Sequence, residues 1–566
     1  MKFSPGLAAV ALAATVLAQP ASAATTTPVS PAKIAGDWIA AEVPDALAAG
    51  DFDFYQGQLI DAGLALRATG HQTDAHEVAE ALAPRLVTTE PNEYGYVTST
   101  EYDTYTDPTA DPVYLQVGRY GNPTAKAAAF TERVGLDAST QYADVDLIAQ
   151  LEDLTDDTTG RIFDDSSYGS YTNTIGQAFA VEALTNAGSS EAGAATDALL
   201  AQQCDAGFFP LDLGATCPTS EAYPDVTALA VISLVESGAT SPEVSAAIAS
   251  AADWLESLQL PDGSFPGDGG ASGANTNGTG LAGWALGEAG RTAAAAKAAV
   301  WTRGLQVSDA GACATQAPTG AIAYNADDFT SGRVEGLGTK QQTWRIASYQ
   351  AAPLLRWAPA ASGALAIATP STATEKVMVN AVVSGLAAGE YACVTLGGTV
   401  RSVKGTGSDV TVPFELPTGS GSYPFSVTTL GGTQSSTTTV PAPVSPTPTS
   451  TPPTEEPIVG ELTTSKVEWV RNNTFKLTVS CDSAAACDGK LKVRTVHKVE
   501  LRNGSVRKLL VAKTEYSVGT GETATVRLKL QRPARAVLGS KRLRVVATQT
   551  ARGAETASAA FWLRRK

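Results

Sequence analysis

After its first two dozen residues the sequence has no run of about 18 consecutive apolar residues, so no later segment is fit to cross a bilayer as a helix. It has no EF-hand spacing, although acidic residues are plentiful. Leu416-Pro417-Thr418-Gly419 lacks both the extra residue of a sortase signal and a hydrophobic tail behind it, which excludes sortase anchoring there. Histidine is scarce, with only His71 and His76 before residue 358. Cations are scarce over residues 24–357, which hold 14 basic against 43 acidic side chains, whereas residues 462–566 hold 22 basic against 7 acidic. The two regions therefore carry net −29 and +15, and should meet different partners.

What is present begins with Lys2, the apolar run Leu7 to Ala18 and the small-residue site Ala21-Ser22-Ala23. That pattern predicts a signal peptide over residues 1–23 and an exported, extracellular or wall-associated protein without a transmembrane anchor. The six cysteines are even in number, which in an exported chain favours disulfides over a metal centre. Neighbour pairing suggests Cys204 with Cys217 and Cys481 with Cys487. Cys313 and Cys393 are left to pair across two domains or to stay free.

Residues 24–357 contain a degenerate repeat. Apolar helical segments stop at Gly70, Gly188, Gly238 and Gly290, with Gly121 falling 51 residues after Gly70. Between the stops lie turns in which glycine precedes an apolar or aromatic residue: Glu93-Tyr94-Gly95-Tyr96, Gly160-Arg161-Ile162-Phe163, Ala206-Gly207-Phe208-Phe209 and Asp262-Gly263-Ser264-Phe265. Glycine permits the turn, and the aromatic fills the junction between stacked helix pairs. The copy from Ala252 through Asp262-Gly263-Ser264-Phe265 to Thr279-Gly280-Leu281-Ala282 resembles the repeat of the terpenoid cyclase and protein prenyltransferase superfamily, and is similar to that of vitamin B12 carriers. The resemblance implies an all-α (α/α)6 toroid with second helices inside. An open helical solenoid is the alternative.

Beyond Trp357 the helical period gives way to short strands, such as Val377–Val383 and Thr411–Phe414, which predict an immunoglobulin-like β-sandwich over 358–440. Residues 441–457 hold seven prolines, the composition of a stiff linker. From 462 to 566, Gly489–Thr495, Thr525–Leu530 and Arg542–Val545 alternate at period two and predict a second, basic β-sandwich, similar to C-terminal β domains of exported actinobacterial proteins.

The resemblance prescribes chemistry that can be looked for. A prenyltransferase zinc site needs Asp, Cys and His together, and the two histidines lie in the first repeat, away from the cysteines. A squalene-type cyclase needs an acidic cluster, and Asp144-Val145-Asp146 lacks the following Asp and reads as helix capping. Glu152, Asp153, Asp156, Asp157, Asp164 and Asp165 offer carboxylates for calcium but read first as a solvated loop. No cofactor or metal is expected. Asp225 with Thr227 and Asn277 with Thr279 occupy matching helix starts, so they are caps or cavity-mouth ligands. With Tyr55, Tyr171, Asn173, Trp344 and Arg345 they form the expected cavity set, beside Tyr223 and Trp284 as aromatic candidates. Lys492, Arg494, Arg527, Lys529, Arg542 and Arg544 should face solvent and meet an anionic wall polymer. The resulting expectation is a non-catalytic envelope protein binding a small apolar ligand or a polysaccharide. An exported cyclase or carbohydrate-active enzyme, and a protein-interaction platform, stand as alternatives.

Overall fold

The computed structural model describes residues 27–51, 56–86, 96–98, 103–106, 115–143, 145–165, 169–267, 273–442, 461–481, 486–501, 504–539, 542–551 and 554–566. The expected signal peptide over residues 1–23, the turn at Tyr94-Gly95, Tyr55, Asp144 and most of the proline-rich segment lie outside them. Among the described residues no helix is long and apolar enough to cross a membrane. The chain divides into two compact units, Met1–Val444 and Ser445–Lys566.

In the first unit, helices α1 (Pro31–Ala48), α2 (Gln56–Ala68) and α3 (Gln72–Leu86) precede three short strands, β1 (Tyr96–Thr98), β2 (Asp103–Thr106) and β3 (Leu115–Gly118). Then follow α4 (Gly121–Arg133), α5 (Leu147–Asp153), α6 (Thr174–Asn186), α7 (Ala192–Leu200), α8 (Pro224–Glu236), α9 (Pro242–Leu258), α10 (Thr276–Glu288), α11 (Thr292–Arg303), α12 (Ala326–Glu335) and α13 (Gln341–Ala351). Six of these helices touch in a closed circuit: α2 to α4, α4 to α6, α6 to α8, α8 to α10, α10 to α13, and α13 back to α2. Of these, α6, α8 and α10 are apolar on nearly all sides, as in Val226–Leu234, because both faces are covered, whereas α4 and α13 carry Lys126, Arg133, Gln341 and Arg345. The helices between them, such as α9 with Ser and Glu on one face, pack outside.

The stop glycines do what the sequence suggests. Gly70, Gly188, Gly238 and Gly290 follow their helices with φ of +88°, +69°, +68° and +77°. Gly121 does not belong to this set. It is the first residue of α4, and the glycine that ends α4 is Gly135, with φ +83°. The segment carrying β1 to β3 lengthens that repeat and shifts its stop.

The turn glycines bind the repeats together. Gly160, Gly207, Gly263 and Gly320 all have positive φ, and a Cβ at each would lie 2.0–2.5 Å from a carbonyl oxygen of another helix: Ala194 in α7, Ser250 in α9, Lys297 in α11 and Ile34 in α1. The last turn thus packs on the first helix. Glutamine amides bridge the same junctions. Gln203 Nε2 donates to Gly207 O and Ala247 O, Gln259 Nε2 to Gly263 O and Ala294 O, and Gln306 Nε2 to Pro31 O at 2.8 Å. The carbonyls of Ala247, Ala294 and Pro31 lie early in the outer helices, so each amide adds a second bond to a helical carbonyl and ties the outer helix to the turn. Beside the glycines, Phe209 and Phe265 are fully buried. In the turn at Gly160, Ile162 takes that place and Phe163 is exposed.

The β portion of the first unit is two sheets over one core. Strands β4 (Ala366–Ala368), β5 (Met378–Ser384) and β8 (Val410–Glu415) face β6 (Tyr391–Leu396), β7 (Thr399–Lys404), β9 (Gly421–Thr429) and β10 (Gly432–Val440), with Phe414 edge-on to Phe425 between them. It is fastened to the helices by the Cys313–Cys393 disulfide, by the Arg303–Glu390 pair at 3.4 Å, and by Arg333, which holds Asp309 and lies over the ring of Tyr391.

The second unit also has two main sheets about one core. One joins β11 (Glu461–Thr463), β13 (Thr474–Ser480) and β18 (Thr523–Lys529). The other runs β12 (Val467–Val470), β20 (Ala554–Arg565), β19 (Leu543–Ala551), β14 (Cys487–Thr495) and β17 (Leu510–Val518), and β15 (Val499–Glu500) pairs with β16 (Val506–Arg507) apart from both. The disulfides Cys204–Cys217 and Cys481–Cys487 complete the pairing, and no described cysteine is free.

Candidate functional site

The six inner helices start at one end of the circuit and finish at the other, and the two ends differ. At the C-terminal end, side chains of opposed helices meet. Arg67 of α2 reaches Glu236 of α8 at 3.5 Å, and the Arg133 guanidinium of α4 lies 5.9 Å from the ring of Trp284 in α10. Arg133 also grips Glu182 of α6 with two bonds, Nε to Oε1 at 2.7 Å and a second from Nη2 to Oε2. Trp284 Nε1 donates to Glu288 Oε1 at 2.9 Å, and Arg356 pairs with the same carboxylate. The axis is therefore closed at this end by a floor of linked charges. Burial works to lower the pKa of Arg133, but Glu182 overrides it and holds the guanidinium above its usual range. Arginines suit this place, since helix C-termini carry partial negative charge.

At the N-terminal end the bonds join neighbours around the ring. Lys126 meets Asp61 at 2.6 Å, Gln342 donates to Gln58, and Asn122 Oδ1 accepts from Asn173 N at 3.1 Å. Lys126 and Asp61, on the second turns of α4 and α2, are still partly exposed, whereas Leu64, Ile232 and Trp284, each three residues deeper along α2, α8 and α10, are buried. The first six residues of an inner helix rise about 9 Å, which sets the depth of this polar rim above the filled interior.

The expected cavity residues divide between these places. Tyr171 is largely exposed, and its carbonyl accepts from Asn122. Asn173 caps α6 through Gly176 N and sits at the rim. Asp225 lies half-buried in the first turn of α8, its Oδ1 accepting from Val226 N. Asn277 is in the first turn of α10, but the cap is Asn275, whose Oδ1 accepts from Gly278 N. Asn277 Oδ1 is buried with no partner among the described residues.

Thr227 and Thr279 are fully buried between the helix layers, where their hydroxyls accept from Phe209 N and Phe265 N at 3.0 Å. Gln177 and Ser348 hold Ile162 N and Ile322 N in the same way, so the position serves the turn. Trp344 is core. Arg345 is buried against Glu42 and Asp51, tying α13 to the first helix; burial works against its charge, yet the two carboxylates raise its pKa.

The motifs examined for chemistry lie elsewhere. Asp146 is exposed and caps α5 through Ala149 N. His71 bonds Asp37 and Thr69, and His76 bonds Val134 O. The acid-rich stretch is engaged locally: Asp153 and Asp165 flank Arg119, Asp156 turns the chain at Thr158 and Thr159, and Asp164 accepts from Gly121 N and Tyr171 N. No group of three His, Cys, Asp or Glu side chains fit for a metal occurs among the described residues. Lys492, Arg494, Arg527 and Lys529 are exposed. Arg542 and Arg544 lie over the Trp562 ring.

The floor was not legible in the sequence, because Arg133 and Glu182 are 49 residues apart and meet only through the ring. A weak signal existed: in a region so poor in cations, Arg67 and Arg133 both fall in the last turn of an inner helix.

No family model and no curated protein matches this sequence. Among solved structures, similar ones include an ent-copalyl diphosphate synthase from Streptomyces platensis, 17% identical with a TM-score of 0.32, over 53% of this chain and 50% of that one. A protein from Actinoplanes is 16% identical with a TM-score of 0.33, over 54% and 89%. The type II terpene cyclase MstE from Scytonema is 14% identical with a TM-score of 0.33, over 54% and 87%. This chain thus spans half the length of the first.

Proposed function

We propose that this chain is an exported, non-catalytic binding protein of the cell envelope. In this reading its helical region is an α/α toroid of six pairs that presents a polar rim to a glycan. Two immunoglobulin-like β domains follow, the last of them retaining the protein near anionic wall polymer. The observation that carries the reading is the contrast between the ring's ends: a floor of charges linked across the axis, and a rim of amides, the Lys126–Asp61 pair, the Asp225 carboxylate and Tyr171. Such groups suit a hydroxyl-rich ligand better than an apolar one, because an apolar ligand would strip them of water without replacing the hydrogen bonds. The three disulfides fit an oxidising compartment.

The test is calorimetric titration of the full chain with soluble, uncharged wall oligosaccharides. Binding that Asn277→Ala and Tyr171→Ala each weaken supports the rim as the site. Binding unaffected by either, or no binding, sinks it.

A second reading, an exported enzyme, is favoured by Glu182, a carboxylate wholly buried on an inner helix, where burial pushes its pKa up. Its two bonds to Arg133 argue for a structural pair. Turnover of an isoprenoid diphosphate or a glycan by the wild-type chain, lost in a folded Glu182→Gln variant, would decide for the enzyme.

A further inference from the structure

We propose that the outer face of the five-stranded sheet in the C-terminal unit is a binding strip for an anionic glycopolymer; the inference rests on the envelope reading above and gives its retention a specific surface. On β12 and β20, Trp469 lies beside Arg564, and Val467 beside Trp562. On β19, Arg544 lies opposite Trp562. Further along, Arg494 of β14 is opposite Val546, and Lys492 stands between Thr548 and Lys513 of β17. Buried residues alternate with these along β14, so the basic side chains share the solvent face.

Starting from Trp469 on β12, the cations of β20, β19, β14 and β17 therefore run diagonally across the sheet. Four strand spacings of about 4.8 Å and three two-residue steps of about 6.7 Å give a strip about 28 Å long, room for several units of an extended polymer. Arg527 and Lys529 lie on the other sheet and are not part of it.

Three arginines on the strip lie over rings. Arg542 and Arg544 lie 4.6 and 5.5 Å from the Trp562 ring centre, and Arg564 lies 5.5 Å from that of Trp469, which is 47% exposed. Stacking fixes a guanidinium plane without consuming its N–H donors, which stay available for phosphate or carboxylate. No carboxylate pairs with these three arginines among the described residues. Two guanidiniums already cover Trp562, which leaves little open ring for a nucleobase. An exposed Trp469 at the end of a line of guanidiniums suits a sugar's apolar face beside its anionic substituents. The partner chemistry is thus a glycan with regularly spaced anions, whether phosphodiester or uronate.

The experiment is binding of the full chain to polygalacturonate, to a phosphodiester-linked teichoic acid, to neutral dextran and to single-stranded DNA, at several salt concentrations. At least one anionic glycan binds, the stronger of the two identifies the anion, and dextran does not bind. Removing Arg544 and Arg564 together (R544A/R564A) weakens binding about 25-fold, about fivefold for each charge. Removing the same charge from the other sheet (R527A/K529A) changes it less than twofold. Trp469→Ala, which leaves the charge unchanged, costs about fivefold. Unfolding midpoints confirm that each variant is folded, and a variant that is not is replaced by Lys492→Ala/Lys513→Ala on the same face.

Equal losses from the two double variants would overturn the strip in favour of diffuse charge. Tighter binding to DNA than to either glycan would overturn the partner. Loss of polyanion binding with retained oligosaccharide binding would refute the strip alone. The reverse would refute the rim alone.

Discussion

The helical region and the C-terminal unit use their cations in opposite ways. In the first, where basic residues are rare, Arg67, Arg133, Arg303, Arg333, Arg345 and Arg356 each hold a carboxylate, several with little exposure. In the second, where they are abundant, Lys490–Glu515 is the ion pair among the described residues, and both partners are exposed. Net charge therefore says less than placement. A scarce cation in an acidic ring joins elements together, whereas an excess on a sheet face remains available to an outside partner.

The comparison breaks most sharply at Arg133. Arg133→Met leaves Glu182 buried without its counter-charge and should cost about 3–5 kcal/mol, read as a lower denaturant midpoint for the helical transition. Adding Glu182→Leu should recover most of that, because a well-packed apolar pair replaces a buried ion pair at little cost. A single variant as stable as wild type would show that the floor is not a joint.

Next comes the fastening of the first β portion. Replacing Cys313 and Cys393 by serine frees a link between residues 80 apart in sequence and should lower stability by about 2–4 kcal/mol. Limited proteolysis should then cut the 358–365 connection faster. Unchanged cleavage would mean that Arg303 and Arg333 hold the seam by themselves. Smaller again is Thr279→Val, which keeps the shape but removes the acceptor for Phe265 N and should cost about 1–3 kcal/mol, with Thr279→Ser recovering part of it.

How far the sequence discloses this depends on whether a feature is local. The glycine stops and three of the turns could be read because positive φ and close backbone approach are demands made on one residue. Gly121 was misleading because spacing alone cannot see the insertion before α4. The spacing puts the helix start at Asn277, but Asn275 caps it, and Thr279, a cap or cavity-mouth candidate by sequence, lies behind the Phe265 turn. The floor needs helices distant in sequence to converge, and nothing around Arg133 or Glu182 announces it. In the C-terminal unit, alternation identified the basic face, but not that Arg527 and Arg544 belong to different sheets, nor that Trp469 and Trp562 sit among the arginines.

The smallest expected effect sharpens the comparison from the other side. Lys490 and Glu515 pair across neighbouring strands at 2.9 Å, and the lysine lowers the carboxyl's pKa, yet both side chains are bathed in water and screened. Lys490→Ala should leave the unfolding midpoint of the C-terminal unit unchanged. Removing both partners (K490A/E515A), which leaves the net charge as it was, should also leave polyanion binding nearly unchanged. A marked drop in binding would extend the strip to the row of Lys490. A marked drop in stability would mean that exposed cations in this unit also serve as joints, and the division between the two regions would fail.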